Sequence, residues 1–247
     1  MRIHKVKIYK KINKGLRMKR LKKIVKAIFA ILIIIIVVAL VYVAYVFISY
    51  DRIDDKQKLK VNEPKVKNEN VSDEVNTGVE YTIGTYNVGF GAYLPDYSFF
   101  MDGGKYSRCY SKESSAKAIR GAATLSSGYN PDFMMFEEVD RKSTRSYGVN
   151  QENIITDIFD DYYSSFAVNY NSAYLFYPFY KPIGKSYSGI VLYSKFKITD
   201  SLRRSLPIST GFSKFLDLDR CYSISRINVE NGKELVLFTV HLSAYGN

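Results

Sequence analysis

The sequence predicts an α+β sandwich of packed β-sheets with helices outside, joined to one membrane-spanning helix. Three features predict it. Residues 27–50 contain no charged side chain, including an unbroken apolar run over 31–38. After Gly78 the texture changes to short apolar runs separated by Gly, Pro, Asn and Asp, the mixture left by strands alternating with helices. Near the end, Asn231-Gly232 sits between two β-rich runs, which marks a hairpin with a type I′ turn and makes its flanking strands antiparallel neighbours.

The charge distribution divides the chain. The 247 residues carry a formal charge of +12, but residues 1–26 alone hold twelve Lys or Arg and no Asp or Glu. Residues 80–247 hold eighteen basic and seventeen acidic side chains. The excess therefore belongs to the N-terminal tail, and net charge gives no support for the outer part as a basic nucleic-acid platform. Residues 1–26 read as a basic cytoplasmic tail and 27–50 as the transmembrane helix. The helix exceeds the roughly 20 apolar residues a bilayer core requires. A cleaved signal peptide would have a shorter apolar region and a small-residue cleavage site, so the segment reads as an uncleaved anchor.

Lys19, Arg20, Lys22, Lys23 and Lys26 crowd one flank, against a mixed Asp51, Arg52, Asp54 and Asp55 at the other. The positive-inside rule then predicts a single-pass cell-membrane protein with a cytoplasmic N-terminus and an extracytoplasmic C-terminal domain. The lipid bilayer is its first expected partner. Tyr42, Tyr45 and Tyr50 suit an aromatic belt at the outer interface.

Residues 51–78 are polar and charged with few large apolar groups, which predicts a linker or stalk that does not fold alone. Asn70-Val71-Ser72 within it fits the glycosylation acceptor pattern. In the outer domain, 79–247, strands are predicted over 80–87, 132–137, 164–170, 188–194, 197–206, 221–229 and 234–241. Helices are predicted over 111–127, opened by Ser111 three residues before Ser114 and stopped by Gly128, and over 149–159. Cys109 and Cys221 are too few for a disulfide framework, and spacing leaves open whether they pair.

Polar groups end three of the apolar runs, where a scaffold can hold a side chain rigidly yet within reach. Asn87 is followed by Gly89 and Gly91, which would let backbone approach a ligand. Glu138, within Glu137-Glu138-Val139-Asp140, would offer carboxylate oxygens to a hard cation. His241, one of two histidines, follows six apolar or β-branched residues and could act on a phosphate oxygen or a leaving group. Each alone has an ordinary structural reading as a turn, a surface carboxylate or a core histidine.

In order along the chain these pieces carry a resemblance. Thr85-Tyr86-Asn87-Val88-Gly89, Phe136-Glu137-Glu138-Val139-Asp140, Ser188-Gly189-Ile190-Val191-Leu192-Tyr193-Ser194 and Thr239-Val240-His241-Leu242-Ser243 resemble the endonuclease/exonuclease/phosphatase superfamily. That family includes deoxyribonuclease I-like nucleases and neutral sphingomyelinases. The resemblance implies a four-layered α/β sandwich that hydrolyses a phosphoester with Mg²⁺ or a similar divalent cation. It matches Glu138 to the metal-binding Glu, and Asn87 and His241 to catalytic positions. Arg220, in Leu216-Asp217-Leu218-Asp219-Arg220-Cys221, is matched near the phosphate. The substrate stays open between nucleic acid and phospholipid, since the aromatic-rich stretch over 162–180 could stack on bases, face lipid head groups or fill a core.

The family continues beyond its first His strand with a helix, an Asp-x-Asn motif and a final Asp-His pair, whereas this sequence stops at Asn247. On that reading the chain is the N-terminal portion of such a hydrolase, incomplete at its C-terminus and inactive as given. The alternative is a catalytically dead, membrane-tethered binding or interaction module. A third reading joins a cytosolic nuclease to a spurious anchor.

Overall fold

A computed structural model describes residues 2–49, 52–68, 72–207 and 219–242, with side chains described from Gly15 onward. The acceptor motif at Asn70-Val71-Ser72, Tyr50 of the aromatic belt and residues 216–218 before Arg220 fall at least partly outside the described residues. The chain divides into two compact units, Met1–Ser49 and Tyr50–Asn247.

The first unit is a single helix, α1, Arg2–Ile48. The basic tail, read from charge only as a topology signal, is therefore helical and continuous with the apolar segment. Gly15–Ile48 is long and apolar enough to cross a membrane. Its large apolar side chains are exposed all round, from Leu32 to Val41, so it has no polar stripe to turn toward water. The uncharged 27–50 run alone would measure about 36 Å at 1.5 Å per residue, against a hydrocarbon core of about 30 Å.

The second unit holds two sheets. One has five strands in the order β2-β5-β6-β4-β3, from β2 Val61–Asn62, β3 Ile83–Asn87, β4 Phe133–Asp140, β5 Tyr163–Asn171 and β6 Tyr187–Ser194. The other has four in the order β1-β7-β8-β9, from β1 Gln57–Lys58, β7 Ile198–Ser205, β8 Cys221–Asn228 and β9 Glu234–Val240. Among the described residues only β3 and β4 pair as parallel strands; the other strand neighbours are antiparallel. This is the mixed α+β architecture with two sheets that the residue pattern predicts.

The period-two alternation of β4 sets the layers. Met134 and Phe136 face a core shared with Ile119 and Ala123 of helix α2, Lys112–Ser127, and Ile155 of helix α3, Gln151–Thr156. Phe133 and Met135 face the opposite way, into a core with Ile198, Ile227 and Leu237 of the second sheet. Helices, five-stranded sheet and four-stranded sheet thus make three layers among the described residues. Helix α2 begins where Ser111 and Ser114 form a reciprocal capping box, Ser114 N donating to Ser111 Oγ at 3.0 Å and Ser111 N to Ser114 Oγ at 3.0 Å.

Two local expectations change. The β8–β9 hairpin lies where Asn231-Gly232 predicts it, but only Gly232 of the pair takes positive φ, 76°. Gly232 N donates to Val229 O and Val229 N to Lys233 O, each at 2.9 Å. This is a three-residue connection closed by a left-handed glycine, not the two-residue type I′ turn.

The expected stalk is also not free. Gln57–Lys58 pairs with β7 and Val61–Asn62 with β5, while Leu59 and Val75 are buried. Its polar composition forbids a core of its own, but does not prevent it from adding short edge strands to existing sheets. Fully buried Arg203 fastens the start of the segment. Its Nη1 donates to Asp54 O at 3.0 Å, its Nε to Val168 O at 2.8 Å and its Nη2 to Asp219 O at 2.9 Å. Cys109 and Cys221 are free and buried in separate clusters, and burial pushes both thiols up to about 11.

Candidate active site

Asn87, Glu138 and His241 meet at one end of the two sheets. Asn87 is the last residue of β3, held by an Asx turn in which Gly89 N donates to its Oδ1 at 2.9 Å. Its Nδ2 donates to Glu138 Oε1 at 3.1 Å and lies 3.5 Å from His241 Nε2. His241 Nε2 is 3.6 Å from Glu138 Oε1, an ion-pair distance and too long for a direct hydrogen bond. These side chains come from three strands and two sheets.

Glu138 points there because β4 is irregular at this residue. The pairing of β4 with β6 shifts between Phe136 and Val139, and Glu138 adopts φ 58°, a left-handed conformation a non-glycine residue rarely takes. The bulge separates the roles of two adjacent carboxylates. Glu137 stays buried, accepts a 2.6 Å hydrogen bond from Thr85 Oγ1, and has its acid form favoured by burial. Glu138 keeps part of its carboxylate in solvent.

Gly89 and Gly91 serve packing. A Cβ on Gly89 would lie 2.5 Å from the Tyr93 ring, and one on Gly91 2.9 Å from Ser115 O of helix α2. The close backbone approach expected after Asn87 is thus to a ring and a helix. Between them, Phe90 O accepts from Gln151 Nε2 at 2.6 Å, while Gln151 Oε1 accepts from Asp140 N at 2.9 Å. One buried glutamine therefore ties the turn after β3 to the end of β4.

His241 follows β9 and is mostly buried. Asn169 Nδ2 lies 3.4 Å from its Nδ1, and Arg220 Nη1 donates to Leu242 O at 2.8 Å and His241 O at 3.4 Å. Arg220 thus reaches the site through the backbone that carries the histidine. Burial is the main cause that lowers the imidazole from its ordinary value; Glu138 opposes it, and Arg220 and Arg145 reinforce it. In the tautomer in which Nδ1 accepts from Asn169, Nε2 carries the proton on the side of Glu138.

The roles of three contributors are not legible in the sequence. Asn169 gave one signal, an amide of low β propensity inside the apolar run of β5. Asp140 and Arg145 form a buried pair beside the site, with Arg145 Nε and Nη2 donating to the carboxylate at 3.1 and 2.9 Å and Ser146 Oγ donating at 2.8 Å. Neither pairing nor burial is written in local sequence.

As a cation site the arrangement offers the Glu138 carboxylate. That fits Mg²⁺, which keeps several waters and takes one or two carboxylates together with substrate phosphate. Among the described residues, no group of three or more His, Cys, Asp or Glu side chains gathers as a protein cage.

No family model and no curated protein matches the chain. Among solved structures it is similar to an endonuclease/exonuclease/phosphatase from Beutenbergia cavernae DSM 12333, at 19% identity and TM-score 0.43 over 68% of this chain and 39% of that one. It is also similar to an endonuclease/exonuclease/phosphatase family protein from Leptotrichia buccalis C-1013-b, at 15% identity and TM-score 0.41 over 66% and 54%. The chain spans about two fifths of the first and about half of the second.

Proposed function

We propose that the chain belongs to a membrane-anchored phosphoester hydrolase of the endonuclease/exonuclease/phosphatase type, which uses Mg²⁺ or a similar divalent cation and carries its catalytic domain outside the cytoplasm. The observation that carries this reading is the convergence of Asn87, Glu138 and His241. Asn87 is 51 residues from Glu138 and 154 from His241 along the chain, yet its amide lies 3.1 and 3.5 Å from them. Parallel pairing of β3 with β4 brings Asn87 beside Glu138, but His241 arrives from the other sheet, and core packing alone gives no reason to add an imidazole to an amide and a carboxylate at a partly open point.

Glu138 is the residue that holds the cation, with charge neutralisation on phosphoryl oxygens as the chemistry the cation supplies when bound. Asn87 orients the Glu138 carboxylate. The lowered imidazole pKa supports a neutral His241 near pH 7, which suits hydrogen-bond donation from Nε2 to a phosphoryl oxygen better than proton delivery to a leaving group. Asn169 fixes the ring from behind. Arg220, through the carbonyls it holds, sets the position of the histidine and sits where its charge can favour a bound phosphate.

The test measures hydrolysis of DNA, sphingomyelin and a generic phosphodiester by the full-length protein against Mg²⁺ and Mn²⁺ concentration, with cation binding followed separately by calorimetry. Glu138→Ala or His241→Ala should each reduce turnover by at least about 100-fold, the cost of losing a charge-stabilising group. Only Glu138→Ala should also abolish cation binding. Near-normal rates in both variants would sink the assignment, and binding without turnover on any substrate would favour a tethered binding module.

A further inference from the structure

The aromatic stretch over 162–180 divides in two. Tyr162, Tyr163 and Phe166 are buried in the cores, but the following loop turns its rings outward: Phe179 is 85% exposed, Tyr180 75% and Tyr177 62%. This loop is not an unstructured excursion. Leu175 and Gly184 exchange backbone hydrogen bonds at 3.1 and 3.0 Å, Ile183 N donates to Tyr177 O at 3.2 Å, and Lys181 N to Pro178 O at 3.1 Å. Ile183 is buried, and Leu175 packs against the same cluster as Phe90 and Phe99. From the side, Arg108 Nε donates to Pro182 O at 2.7 Å and Tyr180 Oη to Lys105 O at 2.8 Å. An apolar cluster lies beneath, and Tyr177 meets its rim at Phe100, 5.7 Å between ring centroids, while Phe179 and Tyr180 stay exposed.

Topology places the tip. Asn171 at the end of β5 pairs with Tyr187 at the start of β6, and Asp140 at the end of β4 pairs with Ser188. The loop therefore leaves the sheet at the end that carries Glu138 and Asn169. Residues 172–186 include Lys181 and Lys185 and no acidic residue.

We propose that this loop docks on the headgroup region of a phospholipid bilayer, turning the site end of the sheets toward the membrane surface. The proposal rests on the reading of α1 as a membrane anchor. Exposed Tyr and Phe beside Lys is the composition of an interfacial contact, with rings at headgroup depth and ammonium groups among anionic lipids. The anchor makes the encounter intramolecular, so a weak patch suffices where a soluble protein would need a strong one. Tip rings that cross edge to face, Tyr177 against Phe179 at 85°, present no row of parallel platforms for successive bases.

The chain contains no Trp, so single-Trp variants report one place each. Full-length Phe179→Trp, Tyr129→Trp and Ile34→Trp are reconstituted into vesicles of phosphatidylcholine with a minority of phosphatidylglycerol, with and without brominated acyl chains. Tyr129 is exposed and lies before β4, whose five steps from Phe133 to Glu138 span about 17 Å at 3.3 Å per residue, so it sits at the other end of that strand from the site. The expected result is about twofold or greater quenching of the Trp at 179 by brominated lipid, strong quenching at 34 and little at 129. Quenching at 34 with none at 179 overturns the docking and leaves the anchor standing. Absence of quenching at 34 overturns the anchor, and the docking with it. A Trp at 179 that ignores lipid but shifts its emission with a single-stranded oligonucleotide overturns the proposal in favour of nucleic acid.

Discussion

Arg145→Met tests the electrostatics beneath the site. Asp140 is fully buried, and its carboxylate is satisfied by both nitrogens of the Arg145 fork and by the Ser146 hydroxyl. The guanidinium carbon lies 4.0 Å from the Phe90 ring centroid, so its exposed face is covered by an aromatic surface. Methionine keeps most of the volume and the contact with Phe90, but leaves a buried carboxylate with one hydroxyl donor. Removing one partner of a buried pair costs about 3–5 kcal/mol, because the remaining charge is uncompensated. Against a typical domain stability of about 5–15 kcal/mol, that is about a fifth or more of the total.

The assay is urea unfolding of the detergent-solubilised protein, followed by near-UV dichroism of its tyrosines so that α1 in its micelle contributes little. Asp140→Asn combined with Arg145→Met should regain much of the loss, since it removes both the stranded charge and its need for a partner. A loss below about 1 kcal/mol for Arg145→Met, or a double variant no better than the sum of the singles, would refute the claim that the pair is a coupled, desolvated unit. The same substitution should raise the His241 pKa, because the Arg145 charge is one of the causes that lower it.

Glu137→Gln should keep the Thr85 hydrogen bond, remove a buried charge and leave catalysis intact. The folded Glu137 pKa is raised, so its contribution is present below the unfolded value and lost as pH rises through the folded one; the advantage of Gln should therefore grow toward neutral pH in the same unfolding assay. His241 has the opposite sign, its folded pKa lying below an ordinary value of about 6.5, so its contribution is present above that value and is lost as pH falls through the folded pKa. His241→Gln should flatten that acid slope, and the imidazole protons should titrate below the ordinary range by NMR. Gly189→Ala would put a Cβ 2.2 Å from Ala167 O and should cost about 1–3 kcal/mol or more, with weakened activity in the folded fraction; unchanged stability and turnover would show that the strands yield freely.

What the sequence made legible was whatever a local pattern can encode. The apolar run Phe133–Phe136 identified a strand buried on both faces, Ser111 marked the start of α2 to the residue, and Asn231-Gly232 located the last hairpin. The turn type differs from the expectation because flanking strands, not the dipeptide, select between a two-residue and a three-residue connection. The stalk differs because composition reports whether a segment can fold by itself, whereas residues 57–62 use strands made elsewhere. Asn87, Glu138 and His241 were visible as polar ends of apolar runs. Asn169, Arg145 and Arg203 were not, since each acquires its partners through contacts between distant segments.

The placement of Glu138 and Asn169 shares one cause. Gly189 of β6 pairs with Val139 of β4 on one side and with Val168 of β5 on the other, and both pairings slip at that level. A side chain at position 189 would strike the Ala167 carbonyl and the Phe166 ring, so the absence of a Cβ lets the neighbouring strand close over it. On one flank the slip gives Glu138 its left-handed backbone and swings its carboxylate toward Asn87 and His241. On the other it sets Asn169, just past Val168, within reach of His241 Nδ1. In a regular sheet, neighbouring side chains alternate strictly between faces, and Glu137 and Glu138 would point to opposite faces of the strand with no further distinction. The paired irregularities around one glycine thus convert an ordinary central strand into a support that aims a carboxylate from one side and a histidine-holding amide from the other.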